Sequence, residues 1–169
     1  MNQILHEQLQ HLFLKMTLGS ARKKIYALRA KQEGQTELAD LFSAISSSEA
    51  AQAARILVQL RGQTGSNEQN RAQAFEHEIP ATIEACEKTA QLAGDCQDKA
   101  MHGACSQSAR VQRIHLSLQK KMEWRNTQGQ DHPISYHVCR FCGFIMEDKA
   151  PDICPICTAP AGRFQKVTA

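Results

Sequence analysis

Long apolar runs are missing from this chain. Its 169 residues contain no stretch approaching the roughly 18 consecutive apolar positions of a membrane-spanning helix, so none is expected. The segment from Met1 to Phe13 has no basic region leading into an apolar one and no small-residue cleavage site. It therefore does not read as a secretory signal, and a cytoplasmic protein is expected. An excess of basic charge is also absent. Before residue 136 there are 16 basic and 14 acidic residues, and after it 4 and 3, so neither part is suited to nucleic acid or an anionic membrane. The cluster Arg22, Lys23, Lys24 reads as a solvated helix face. At 42% hydrophobic and 22% charged, the composition is that of a globular protein.

Strand signals are almost absent from the first 125 residues, and helical period replaces them. Leu5, Leu9, Leu12 and Met16 recur at spacings of four and three, with Ile25 and Leu28 further on, which predicts a helix from about residue 3 to 32. Gly34 suits the position just past its end. Thr36 can cap a second helix whose apolar positions are Leu38, Leu41, Phe42, Ile45, Ile56, Val58 and Leu60, with Gly62, Gly65 and Ser66 closing it. Ser66 followed by Gln69 forms a capping box for a third helix. Pro80 either kinks that helix or restarts it at residue 79, and it continues through Ile83, Cys86, Ala90 and Leu92 to about Gly94. A fourth carries Met101, Ala104, Ala109, Val111, Ile114, Leu118 and Met122 and reaches Trp124. Four such helices on short loops predict an antiparallel bundle in which the stripes bury one another.

The sequence thus divides into a helical region over 1–125, a polar linker over 126–135 containing Gly129 and Pro133, and a small module over 136–169. That module has too little apolar content for a core of its own and is expected to need a metal to fold.

Seven cysteines divide into two groups. Cys139, Cys142, Cys154 and Cys157 make two CxxC pairs, a spacing that lets both thiolates of a pair approach one ion while nearby amides turn towards sulfur. Gly143, directly after Cys142, relieves the backbone at such a turn, and Pro155 stiffens the second loop. Four thiolates favour tetrahedral iron or zinc over hard cations, and spacing alone leaves those two open. Zinc would make the module structural; iron would make it a one-electron carrier. Cys86, Cys96 and Cys105 are expected to be small core or half-buried residues, and with no CxxC among them they do not suggest a thioredoxin-like site.

The segments CRFCGF and APDICPICTAPAGRFQKV resemble the rubredoxin-like domain that ends the rubrerythrins. The likeness takes in the four cysteines, Gly143, Pro151, Pro155, Ala159-Pro160 and Phe164. It implies a ferritin-like four-helix bundle ahead of the module, iron at the four cysteines with zinc as a substitute, a redox partner protein and a homodimer. It also implies a carboxylate-bridged di-iron site in the bundle, where Glu-x-x-His brings two ligands to one helix face.

The helical region departs from that pattern. No Glu-x-x-His occurs anywhere from residue 1 to 135. Aligned on Tyr26 to Gly34, the first expected glutamate falls on Met16. The second helix offers Glu49 to Gln52, which keeps the glutamate alone. In the third, Glu78 or Glu76 is followed three residues on by Ala81 or Ile79. In the fourth, Gln112 to His115 keeps only the histidine. A conventional di-iron site is therefore not expected. Glu49, Glu78 and His115 remain the candidates for a reduced site, against plainer roles as a paired acid, a surface acid and a hydrogen-bonded histidine. His6, His11, His77, His102, His132 and His137 are expected at the surface.

The resulting expectation is a non-haem iron electron-transfer protein of rubrerythrin type, linked to peroxide or oxidative-stress defence. The peroxide-reducing oxidoreductase activity of the family is in doubt here because its bundle ligands are largely missing. The alternatives are a structural or regulatory zinc-ribbon protein with a helical docking bundle, and an active peroxide-reducing rubrerythrin.

Overall fold

A computed structural model describes residues 2–61, 65–129 and 133–167. Gly62, expected to close the second helix, His132 and part of the expected linker lie outside the described residues. The chain divides into two compact units, residues 1–66 and 67–169. Four long helical segments followed by a short sheet with clustered cysteines is the architecture expected.

The first unit is a helical hairpin, α1 (Gln3–Gln32) and α2 (Thr36–Arg61). Asn2 starts α1 by accepting the Ile4 amide on its side chain at 2.8 Å. Gly34, at φ +76°, ends it in the left-handed region that glycine enters without steric cost. The Gln35 amide then reaches back to the Ala30 carbonyl at 2.9 Å and that of Gly34 to Lys31 at 3.2 Å, satisfying two terminal carbonyls. So tight a stop turns α2 straight back.

The seam between α1 and α2 is made of small residues. Ser20, Ala27 and Ala30 are buried on α1, and Ala39, Ser46 and Ala53 on α2. At its centre the Ser20 hydroxyl donates to the Ser46 carbonyl at 2.9 Å, and the Ser46 hydroxyl to the Ser20 carbonyl at 2.8 Å. Such contacts form only where side chains are short enough for the backbones to approach. Leu5, Leu12 and Leu41 lie outside this seam. Within the hairpin the larger side chains flank the seam.

In the second unit, α3 (Asn67–Ala72) runs through a π-helical turn (Gln73–Glu78) into α4 (Ile79–Asp95). The restart at residue 79 follows from Pro80, which has no amide to donate and whose ring would crowd the carbonyl four residues back. It sits in the first turn of α4, where that amide is not needed. A three-residue turn leads to α5 (Lys99–Thr127), capped by Asp98 accepting the Met101 amide at 3.0 Å. Ala90, Ala93, Ala109 and Val111 are the buried residues of α4 and α5. Ion pairs Arg113–Glu87 and Arg71–Glu123 add to the packing.

The module that follows is a three-stranded antiparallel sheet of β1 (Tyr136–Cys139), β2 (Ile145–Glu147) and β3 (Phe164–Val167), in the order β2-β1-β3. Val138 faces Ile145 on one side and Gln165 on the other. Phe144 and Phe164 meet edge to face at 6.2 Å. The module does not close its core alone. Val111 from α5 is buried with Cys139, Phe144, Cys154 and Ile156, and Ile114 packs against them. Arg125, near the end of α5, donates to Glu147 at 2.8 Å. Contributions from the preceding helix make good the apolar side chains that the module's own sequence lacks.

Candidate metal centre

Each cysteine pair sits in a loop of the same construction. In the first, the Cys139 amide donates to the Phe144 carbonyl at 2.8 Å and the Gly143 amide to the Cys139 carbonyl at 2.9 Å. In the second, the Cys154 amide donates to Ala159 at 2.8 Å and the Thr158 amide to Cys154 at 2.9 Å. Both loops turn through a left-handed residue, Gly143 at φ +81° and Thr158 at φ +62°. The repeat presents the two thiols of each loop inward.

The four sulfurs lie within 4.8 Å of one another. Cys139 Sγ is 3.7 Å from Cys157 Sγ, and Cys142 Sγ 3.6 Å from Cys154 Sγ. A tetrahedral ion with metal–sulfur bonds of about 2.3 Å sets its sulfurs about 3.8 Å apart, so the donor set fits such an ion. These separations far exceed the bond of about 2.05 Å in a disulfide. Cys139 and Cys154 are buried to 1% and 0% exposure, whereas Cys142 and Cys157 are half-buried.

Amide groups surround the sulfurs. Burial pushes the Cys139 thiol up, but the amides of Cys142 and Phe141, with the neighbouring thiols, bring it below its ordinary range. Burial raises Cys142 well above that range, against the Phe144 amide that draws it down. Burial likewise raises Cys157, opposed by the Ala159 amide. Such N–H groups directed at sulfur stabilise the negative charge that a tetrathiolate site carries.

Among the described residues, these four cysteines are the one group of three or more potential ligands close enough to hold an ion. Glu49 is engaged by Lys23, whose Nζ lies 2.6 and 2.8 Å from its two oxygens. Gly19 leaves room for that pair, since a Cβ there would come within 2.7 Å of Glu49 Oε2. Met16 and Gln52 line a cleft of about 390 Å³ in the α1–α2 hairpin, together with Leu9 and Ile56. Glu78 is exposed and accepts from Gln73 at 3.3 Å. On α4 the carboxylates of Glu84 and Glu87, spaced by three, are each held by a cation, Lys88 and Arg113.

His115 takes the plainer of its two expected roles, on the part of α5 that packs against the module. Its Nδ1 is 3.2 Å from the Gln112 side-chain amide. Its Nε2 is buried and has no hydrogen bond within the usual limits. Burial pushes its pKa below the ordinary 6.5, while the Gly143 backbone carbonyl draws it back up. His102 stays at the surface as expected, whereas His137 is half-buried. His102 Nδ1 is 2.9 Å from the Ala90 carbonyl, and His137 Nδ1 is buried. Cys86 and Cys105 are half-buried and share a cleft of about 370 Å³. Cys96 is exposed at the end of α4 because the chain turns away there.

Two cysteine loops of one construction, four converging sulfurs and a short antiparallel sheet define a tetrathiolate metal-binding module of rubredoxin type. Residues 137–165 match the family model of the rubrerythrin rubredoxin-like domain. Two solved structures of nigerythrin are similar to the chain. One, in a partially reduced state, is 15% identical over 96% of this chain and 86% of that chain, at a TM-score of 0.43. The other, fully reduced and all ferrous, is 19% identical over the same shares, at 0.46. No curated protein matches the chain. Among the described residues no helix is long and apolar enough to cross a membrane.

Proposed function

We propose that the chain is a non-haem iron electron carrier of rubrerythrin type, with one iron held by Cys139, Cys142, Cys154 and Cys157. The observation that carries this reading is the convergence of four sulfurs in a pocket whose amides aim at them. An iron so held supplies one-electron chemistry between ferric and ferrous states. The chain holds four thiolates in a fixed arrangement, so the geometry changes little between the two states. Its amides offset negative charge in the reduced one. Cys142 and Cys157 keep part of their surface, beside Phe141 at 75% exposure. Electrons would enter and leave by this edge, through a donor protein and an acceptor.

Peroxide or oxidative-stress defence belongs to the same proposal as the purpose of those electrons. The acceptor need not lie in this chain, since Glu49 is committed to Lys23. The cytoplasm and a homodimer complete the reading. Natively expressed protein is expected to be red when oxidised, to bleach on reduction and to contain one iron per chain. Colourless protein with stoichiometric zinc would replace it with a structural zinc module. Peroxide turnover coupled to oxidation of the cysteine-bound iron would extend it to an enzyme.

A further inference from the structure

α4 and α5 run antiparallel on either side of their turn, and their contacts fix which residues stand opposite one another. His102 Nδ1 lies 2.9 Å from the Ala90 carbonyl, and a Cβ on Gly94 would come 3.5 Å from the same nitrogen. Cys86 is one turn back from Ala90 on α4, and Cys105 is one turn on from His102 on α5. Steps of four and three residues keep each thiol on the helix face that makes the contact. Because the helices are antiparallel, both steps lead away from the turn. They cover about 6.0 and 4.5 Å at 1.5 Å per residue, so the two thiols stay nearly level.

The seam between them is lined by alanine, with Ala90, Ala93 and Ala109 all buried. Such short side chains let two helix axes approach to about 8 Å, the near end of the usual range. Facing Cα atoms then fall inside the roughly 7 Å that a disulfide can span. Both cysteines are free and half-buried, and both open into the same cleft of about 370 Å³. Ala81, Thr82, Ala85 and Thr89 form the rest of its lining, which leaves sulfur within reach of a molecule as small as a peroxide.

We propose that Cys86 and Cys105 form a dithiol that hydroperoxides oxidise to a disulfide, stapling α4 to α5. One thiolate attacks a peroxide oxygen, the O–O bond breaks, and a sulfenic acid forms as water or an alcohol leaves. The second sulfur attacks the sulfenic sulfur, the S–S bond forms, and the S–O bond breaks to release water. In sum the two thiols give up two electrons and two protons, and the hydroperoxide takes up both. Exchange with a dithiol reductant restores the pair. Cys96 is exposed and lies on the turn side of the Ala90–His102 contact, away from both thiols. This chemistry uses no metal and stands apart from the electron-carrier reading.

The test treats zinc-loaded full-length protein with hydrogen peroxide and alkylates the remaining thiols in acid. Each chain should lose the mass of two hydrogens and run as a single chain on a non-reducing gel. Trypsin separates the three cysteines of α4, the turn and α5, since it cuts after Arg71, Lys88, Lys99 and Arg110. The expected product is residues 72–88 joined to residues 100–110. Cys86→Ser and Cys105→Ser should each abolish it, and Cys96→Ser should leave it. A bond to Cys96 or to a zinc-binding cysteine, or a covalent dimer, overturns the proposal. So does excess peroxide that leaves Cys86 and Cys105 free or carries them to sulfinic acid. Should either of the first two variants fail to fold, the cross-link maps of wild type and C96S decide.

Discussion

Arg125 and Glu147 form an ion pair at 2.8 Å with only 14% and 15% of their side-chain surfaces exposed, joining the end of α5 to strand β2. Lys121 stands 3.6 Å from the other Glu147 oxygen and is far more exposed, at 61%. The Arg125 bond is therefore the stronger of the two, because solvent screens it less. Hydrogen bonds between charged groups contribute about 1.5–3 kcal/mol each. Arg125→Ala is expected to destabilise the zinc-loaded chain by about that amount in denaturant titration. Lys121→Ala should cost less than about 1 kcal/mol. A double-mutant cycle of Arg125 with Glu147 should show clear coupling; additive losses would mean that the pair does not hold the module to the helix.

The two left-handed turn residues predict opposite responses. Space is not the obstacle at Gly143, where an added Cβ would meet Val111 at an ordinary 3.9 Å. Its φ of +81° is. Gly143→Ala should therefore cost about 1–2 kcal/mol, the strain of an L-residue in that region. Thr158 already carries that strain at φ +62°. Thr158→Gly relieves it, offset by about 0.5–1 kcal/mol from the greater freedom of the unfolded chain. The expected net is no change or a small gain, read by denaturant titration of zinc-loaded protein. A loss comparable to that of G143A would show that the Thr158 hydroxyl, which donates to the Cys157 carbonyl at 2.6 Å, matters more than the backbone.

Burial of His115 gives stability a pH dependence. Its folded pKa lies below the ordinary 6.5, so the unfolded chain takes up the proton first as pH falls. Stability is then full above about 6.5 and declines below it. H115Q should decline less between pH 7.5 and 5.5 than wild type in thermal melts of zinc-loaded protein. Parallel curves would mean that the ring protonates as readily folded as unfolded.

Metal content separates the two groups of candidate ligands. Cys154→Ser should lose the ion and the order of the sheet while most far-UV helical signal remains, because the module's small core is built around the sulfurs. Glu49→Gln should keep one ion per chain, since that carboxylate is held by Lys23. Elemental analysis with anomalous scattering reads both. A Glu49-dependent second ion would restore the bundle site.

Acidification should also release the metal. Burial raises the thiols of Cys142 and Cys157, so both are protonated in the empty chain at neutral pH and lose their protons to bind. Affinity for zinc should rise with pH between about 5 and 8 in competition with a chelator of known pH dependence. A flat profile would mean that the thiolates are already formed without metal.

The sequence by itself carried the helix limits and the grouping of four cysteines that could hold a metal. Gly34 and Pro80 act through their own backbones, and α1 ends and α4 restarts beside them. Four cysteines in two CxxC pairs place their sulfurs by local turns, which explains why spacing alone identified them. Iron against zinc was not legible, because four thiolates suit both. Other features depend on which residues meet across the fold. The periodicity of α1 and α2 shows where large apolar side chains recur, but not that Ser20 and Ser46 would pair and leave Leu5, Leu12 and Leu41 outside the seam. Glu49 reads equally well as a ligand or a partner until Lys23, 26 residues away, is seen beside it. His115 shows the same limit: its spacing from Gln112 marks one helix face, and only the tertiary structure buries its ring nitrogen. Turns and thiol spacing are encoded within a few residues of chain. Burial and long-range pairing follow from packing between distant segments.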